Sequence, residues 1–217
     1  MPHVFCPIPT AGSLAKIMNN KQLPMDWYRN IYRTHDPAEI ASRCNLPFDG
    51  ASFTLRIMGR TCLAGYPEYS LLQINPAAAG NNEIRGFEKI LFLRYLCEGR
   101  YAKPTGRQLS YREVPWGDLY FNNFENRCIK RLAGKFGNNV ETFKKIMEEK
   151  LNAEKLDKSD AGYRFEFSSG LYMSFLLWAA DDEFPASAQI LFDDNFPMAF
   201  TAEDMAAAGD IAINHLC

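Results

Sequence analysis

The order of periodicities along this chain predicts an α+β fold. It is expected as two similar α-β-β-β-α halves with mainly antiparallel sheets and packed helices. Three observations carry that expectation. Strand signals cluster twice, between Ser52 and Ile74 and again between Asp160 and Phe192, and helical spacing flanks each cluster. The two clusters are introduced alike, by Asp49-Gly50 and by Asp160-Ala161-Gly162. Pro67-Glu68 and Glu183-Phe184-Pro185 each precede a third strand. Residue identity between the halves is slight, so an internal duplication rests on element order alone. The expected organisation is an irregular lead-in over 1–24 and one α+β domain over 25–217. Its pseudo-repeats, 25–98 and 119–217, are joined by a loop at 99–118.

The lead-in holds four of the twelve prolines and little periodicity. Met25 to Thr34 reads as a short helix with Trp27, Tyr28 and Ile31 inward. Asp36-Pro37 reads as a cap with proline in the first turn, opening a helix to Cys44. In Ser52–Met58, Phe53, Leu55 and Ile57 face one way while Thr54 and Arg56 face the other. Thr61–Tyr66 and Tyr69–Ile74 complete a meander, with turns at Gly59-Arg60 and Pro67-Glu68, and Ala77–Asn82 is a loop. Glu83 to Glu98 is apolar on most sides (Ile84, Phe87, Ile90, Leu91, Phe92, Leu93, Leu96), as in a deeply buried helix.

Leu119 to Lys135 predicts a long amphipathic helix. Phe121, Phe124, Cys128, Leu132 and Phe136 recur at three- and four-residue steps, and Gly137 stops the helix as a left-handed cap. A helix over Val140–Leu151 buries Val140, Phe143, Met147 and Leu151. Its solvated face pairs Glu141 with Lys145 and Lys145 with Glu149. Asp160–Ser168, the nearly continuous apolar run Leu171–Ala180 and Ser187–Phe192 read as strands, with a tight turn at Ser169-Gly170. Thr201 and Asp204 form a weakened capping box before a last helix that uses Met205, Ala208, Ala212 and Leu216.

The 217 residues are 47% hydrophobic and 23% charged, with a formal net charge of -2, an ordinary globular composition. No basic excess points to nucleic acid. No apolar run approaches the roughly 18 residues of a membrane span. The start, Met1-Pro2-His3-Val4-Phe5-Cys6-Pro7, lacks the pattern of a secretory signal, so a cytoplasmic protein is expected. Six cysteines (Cys6, Cys44, Cys62, Cys97, Cys128, Cys217) are scattered without a Cys-x-x-Cys pair, which favours reduced core thiols.

Two stretches concentrate chemistry. The first runs from Asp181 to Asp194 and sets five carboxylates beside apolar segments. Such oxygens suit hard cations, and they also cap turns and hydrate sheet ends. Asp182 and Glu183 precede a strand while Asp193 and Asp194 follow it, roughly 30 Å away at about 3.3 Å per residue. Two separate roles are therefore expected rather than one five-carboxylate site. The second stretch is Arg112 to Tyr120, with Trp116, continuing to Phe124 and Arg127. Tyr120, Asn123, Arg127 and Arg131 fall near one another on a helix, a Tyr–Arg face that with nearby Arg112 would hold a carboxylate or phosphate. Alternatively, Arg127 pairs with Asp182 or Glu183 and locks the halves together. No dinucleotide, phosphate-loop, serine-elbow or zinc-protease motif is present in the sequence. Of the three histidines, His35 is expected in a turn and His215 in a last helical turn, where partial protonation suits the dipole.

Trp116-Gly117, Tyr120, Phe124, Arg127, Phe136-Gly137, Asp182-Glu183-Phe184-Pro185 and Leu191-Phe192-Asp193 resemble the pattern of an uncharacterised prokaryotic family, domain of unknown function 3786. The resemblance covers roughly Asp26 to Leu216. It implies no settled activity. Some members of that family are similar to iron–sulfur proteins through an added Cys-rich segment, and the family occurs in anaerobes with corrinoid chemistry. This sequence lacks that segment.

The expectation is a cytoplasmic, non-catalytic accessory protein that binds a small molecule or a protein partner. Its groove would be lined by Arg112, Trp116, Tyr120, Arg127, Asp182, Glu183 and Asp193. One rival is a metal-dependent enzyme using Asp182, Glu183 and Asp193. Another is a structural subunit of an assembly linked to corrinoid or iron–sulfur metabolism. No residue pattern names a cofactor or a reaction.

Overall fold

The computed structural model describes residues 22–75 and 81–216. The expected lead-in and the loop at Ala77–Asn82 therefore fall largely outside the described residues. The fold is α+β. Helices α1 (Gln22–Thr34) and α2 (Pro37–Cys44) come first. Asp36 caps α2 by accepting from the Ala38 N–H at 2.9 Å. On α1 the inward places belong to Met25, Tyr28, Ile31 and the fully buried Tyr32. Trp27, expected inward, is exposed because it lies on the opposite side of the helix from Tyr32.

The first meander is β1 (Ser52–Ile57), β2 (Arg60–Gly65) and β3 (Leu71–Gln73), extended by the two-residue β4 (Asn82–Glu83). Phe53, Leu55 and Ile57 are fully buried, as their alternation implies. The β1–β2 turn is Met58-Gly59, one residue earlier than expected. Both residues have positive φ (45° and 77°), the geometry that matches the twist of a two-residue hairpin. Helix α3 spans Gly86–Glu98, starting later than its apolar run, so Ile84 belongs to the preceding segment and Phe87 is exposed.

The 99–118 segment, expected as a loop, contains β5 (Gln108–Ser110) and a 3-10 turn at Tyr111–Glu113. Three residues are too few to show alternation; the β9 edge supplies the pairing. The expected long helix runs from Gly117 to Phe136 as α4 (Gly117–Phe124), a π turn (Glu125–Ile129) and α5 (Lys130–Phe136). Gly137 continues in a right-handed helical conformation (φ -61°), so it is not a left-handed cap. Its reason is space: a Cβ there would overlap the Cβ of Ala186. Helix α6 spans Val140–Glu149 and carries a Lys144–Glu141 ion pair at 2.8 Å instead of the spacings expected.

The second meander is β7 (Ala161–Ser168), β8 (Leu171–Trp178) and β9 (Ser187–Asp193). A short β6 (Glu154–Leu156), unmarked by sequence periodicity, pairs with β7. Helices α7 (Phe196–Ala199) and α8 (Ala202–His215) close the chain. All described strands form one antiparallel sheet, in the order β4-β3-β2-β1-β7-β8-β9-β5 with β6 on β7. The meanders join first strand to first strand at Ile57↔Ser168. Flanking bonds run from the Met58 N–H to the Phe167 carbonyl (3.1 Å) and from the Ser169 N–H to the Arg56 carbonyl (3.1 Å). The Arg56 N–H donates to the Ser169 hydroxyl at 2.9 Å.

Phe165, Met173, Phe192 and Leu109 lie in register on one sheet face and are buried. Tyr111 and Phe124 cover that face, stacked 4.0 Å apart, with Phe196 and Phe200 beside them. The opposite face carries Arg164, Ser174, Leu191 and Ser110 in register. Cys44, Cys62, Cys97 and Cys128 are free and buried, and burial first of all raises their thiol pKa values to about 11, 11, 12 and 12. Among the described residues no helix is long and apolar enough to cross a membrane.

His215 does not act as a protonated dipole cap. Burial first, then Arg60 and Lys150, lower its pKa to about 4. That lies below the unfolded value of about 6.5, so the unfolded chain takes up the proton first as pH falls. This contribution to stability is present above about pH 6.5 and is lost as pH falls towards about 4. We predict that His215→Gln flattens the dependence of the urea midpoint on pH across that window; an unchanged slope would refute the assignment. We also predict that Gly137→Ala destabilises the protein by about 2–4 kcal/mol through steric overlap, read from urea unfolding. A wild-type midpoint would show that the 180–186 segment does not press on Gly137.

Candidate functional site

A cleft of about 290 Å³ opens where α3 ends, α7 passes into α8, and the Val114–Trp116 turn comes alongside. Helix α3 brings Arg94 and Glu98 to it. The α7–α8 junction brings Met198, Phe200, Thr201 and Asp204. The Arg94 guanidinium pairs with Asp204, Nη1 to Oδ1, at 3.2 Å. Its carbon sits 5.4 Å from the Tyr28 ring centroid, and its buried Nε has no hydrogen-bond partner. Burial opposes the Arg94 charge, but Asp204 and neighbouring groups outweigh it and hold its pKa above the ordinary value. Tyr28 is pushed up to about 12, chiefly by burial, with Arg94 opposing and Glu98 adding to the rise.

Asp204 also caps α8. Its Oδ2 accepts from the Thr201 N–H at 3.3 Å and from the Thr201 hydroxyl at 2.7 Å. The Asp204 N–H in turn donates to Thr201 Oγ1 at 3.3 Å. The box read from the sequence is thus present, and its acid has a second partner from 110 positions earlier in the chain.

Trp116 stands at the cleft with 74% of its surface exposed. Its backbone is left-handed (φ 66°, ψ 3°), a conformation that costs a bulky residue about 1–3 kcal/mol. The surroundings enforce it. A Cβ on Gly117 would overlap the Tyr111 carbonyl, so the chain has no room for another residue type there. Upstream, Glu113 accepts from the Ser110 N–H at 2.7 Å, and the Tyr111 hydroxyl donates to the Ala202 carbonyl at 2.7 Å. The turn that presents Trp116 is therefore tied to the first residue of α8.

The other candidate residues are dispersed. Arg112 pairs with Asp118 at 3.1 Å and lies 3.5 Å over the Phe121 ring. Tyr120 is exposed on α4. Arg127 pairs with Asp210 of α8 at 3.1 Å, and Arg131 bonds Asp210 and Asn214. The expected pairing of Arg127 with Asp182 or Glu183 is not formed, because this face of the helix packs against α8. Asp182 and Glu183 are exposed in a turn whose Asp181 carboxylate accepts from the Glu183 and Phe184 N–H groups at 2.9 and 2.7 Å. Pro185 and Ala186 line a second hollow of about 360 Å³ with Lys130, Ala133 and Asn138.

Asp193 lies at the far end of β9 and is 1% exposed. It accepts from Arg164 at 2.6 Å (Nη2) and 3.3 Å (Nε), and the Arg164 guanidinium lies 3.9 Å over the Tyr172 ring. Asp194 is held ionised by the Thr105 hydroxyl and N–H. The acids thus divide between the two ends of the strand, as their spacing implied. Among the described residues no three His, Cys, Asp or Glu side chains gather as a metal-holding group.

Sequence reasoning named Trp116 but missed Arg94, Glu98 and Asp204 as a site. One signal was available: Arg94 is a cation embedded in the apolar run Leu91 to Leu96. Because Asp193 is buried beneath Arg164, the pair should show strong coupling. We predict a coupling of about 1–3 kcal/mol in a cycle of Asp193→Asn and Arg164→Gln, read from urea unfolding. Additive losses would reject the pair as a structural clasp.

A family model described as Domain of unknown function (DUF3786) matches residues 36–215. No curated protein and no solved structure matches the chain.

Proposed function

We propose, for this chain, which belongs to the DUF3786 family, that it is a non-catalytic, cytoplasmic binding protein whose ligand occupies the cleft beside Trp116. The family span, 36–215, contains every residue lining that cleft. The observation that carries the reading is Trp116 itself. An indole held in a strained left-handed conformation, on a turn tied to α8, and left 74% exposed contributes little to the core. Conformational strain that burial does not repay points to a role in recognition. A concave site with aromatic and aliphatic walls and a few charged groups is the usual form of a small-molecule site. Leu119 and Tyr120, exposed in the following helical turn, extend the apolar surface beside it.

The location of the cleft supports a duplicated architecture with halves 25–98 and 119–217. Strand order β3-β2-β1-β7-β8-β9 sets the two meanders first strand to first strand. The cleft draws Arg94 and Glu98 from the first half, Met198 to Met205 from the second, and Trp116 from the connecting segment. Free, buried thiols support a reducing compartment.

The test is a fragment screen by ligand-observed NMR on wild type and Trp116→Ala in parallel, with thermal melts as the folding control. We expect a set of fragments whose signals broaden with wild type and not with the folded variant. Hits shared equally by both proteins would overturn the assignment of the cleft.

A further inference from the structure

Three ionic side chains line the cleft: Arg94, Glu98 and Asp204. Their charges do not balance. Asp204 answers Arg94 directly at 3.2 Å. The same carboxylate closes the N-terminal turn of α8 through Thr201, so that helix end is capped from within the chain. Asp204 thus closes the helix N-terminus and takes Nη1 of the guanidinium, two features that ordinarily bind an anion, and the Arg94 Nε that it leaves unpaired is itself buried.

What is left over is negative. Glu98 is exposed, shares a hydrogen bond with the Tyr28 side chain and enters no ion pair among the described residues. Glu203, on the first turn of α8, is exposed as well, and both acids act on Arg94 in the direction that raises its pKa. Beside this surplus stands the Trp116 ring, whose π face attracts a cation. Met198 and Phe200 supply apolar wall, and about 290 Å³ is at the small end of ligand pockets.

We infer that the cleft takes a small organic cation, an amine or quaternary ammonium group held by the Glu98 carboxylate and the Trp116 ring, with a short apolar body against Met198 and Phe200. This rests on the assignment of the cleft made above and adds the charge of the ligand.

Three probes that share a benzyl group and differ in the charge of the head separate the two claims: benzyltrimethylammonium, benzyl alcohol and phenylacetate. The readout is the indole N–H signals of the three tryptophans in a proton–nitrogen correlation spectrum, with the Trp116 signal assigned from Trp116→Phe. We expect the cation to move the Trp116 signal saturably, benzyl alcohol to bind about tenfold more weakly, and phenylacetate to have no effect. Glu98→Gln, at an exposed position, should weaken cation binding about three- to tenfold without altering the melt. If phenylacetate moves the Trp116 signal and the cation does not, the ligand class is overturned and the cleft stands. If the cation binds Glu98→Gln as tightly as wild type, the charge argument is overturned. If no probe moves the Trp116 signal, the ligand class and the cleft both fall.

Discussion

The antiparallel joint between β1 and β7 is the constraint on which the rest of the molecule depends. It is short: one registered pair, Ile57↔Ser168, and a few flanking backbone bonds. It sets two meanders edge to edge with their apolar faces on the same side. Side chains alternate along a strand, so a slip of one residue would turn the face of one meander against the other. With the faces aligned, α3 from before the joint packs against α8 from after it. Their meeting creates the cleft, which neither meander would form alone. Strand β7 shares its other neighbours along its length, β6 at residues 162–164 and β1 at Ser168.

Asp204 does for the cleft what that joint does for the sheet. It is 6% exposed, and a buried carboxylate is tolerable only when its oxygens are satisfied. Arg94 takes one oxygen and Thr201 the other. The same contacts hold α3 to α8, cap α8, and leave Arg94 stacked towards Tyr28. Packing, capping and the electrostatics of the cleft thus converge on one side chain.

Asp193 shows how differently the acids of one stretch are used. It lies under Arg164 and Tyr172 on the polar face of the sheet, while Asp182 and Glu183 stay in water at the other end of β9. Gly137 and Ala186 show a related economy. Gly137, of the family-like Phe136-Gly137 pair, lies against Ala186, the residue that follows Asp182-Glu183-Phe184-Pro185, and the glycine is required by that approach.

Local chemistry was legible in the sequence. The Asp36 cap, the alternation of β1, the Thr201–Asp204 box and the apolar stripe of Phe124, Cys128 and Leu132 all depend on neighbours within a few positions, and spacing reports them. Trp116-Gly117 was legible as part of the family pattern, though not as a strained pair. Elements that borrow stability from distant chain were not legible. Strands β5 and β6 exist because β9 and β7 offer them open edges. Trp27, expected inward, is exposed while Tyr32 is buried, because the side of α1 that meets the core is chosen by the sheet and α3, not by α1. The ion pair at the cleft was invisible for the same reason. Arg94 and Asp204 carry no common spacing, and their pairing follows only when α3 and α8 are laid together over the joined sheet. The sequence by itself determined the α+β class, the Asp36 and Thr201–Asp204 caps and the inward faces of most elements, because those follow from short-range periodicity and hydrogen bonding. Tertiary structure alone decided which charges meet, which tryptophans are left exposed, and where the cleft opens, because those follow from contacts between segments far apart in the chain.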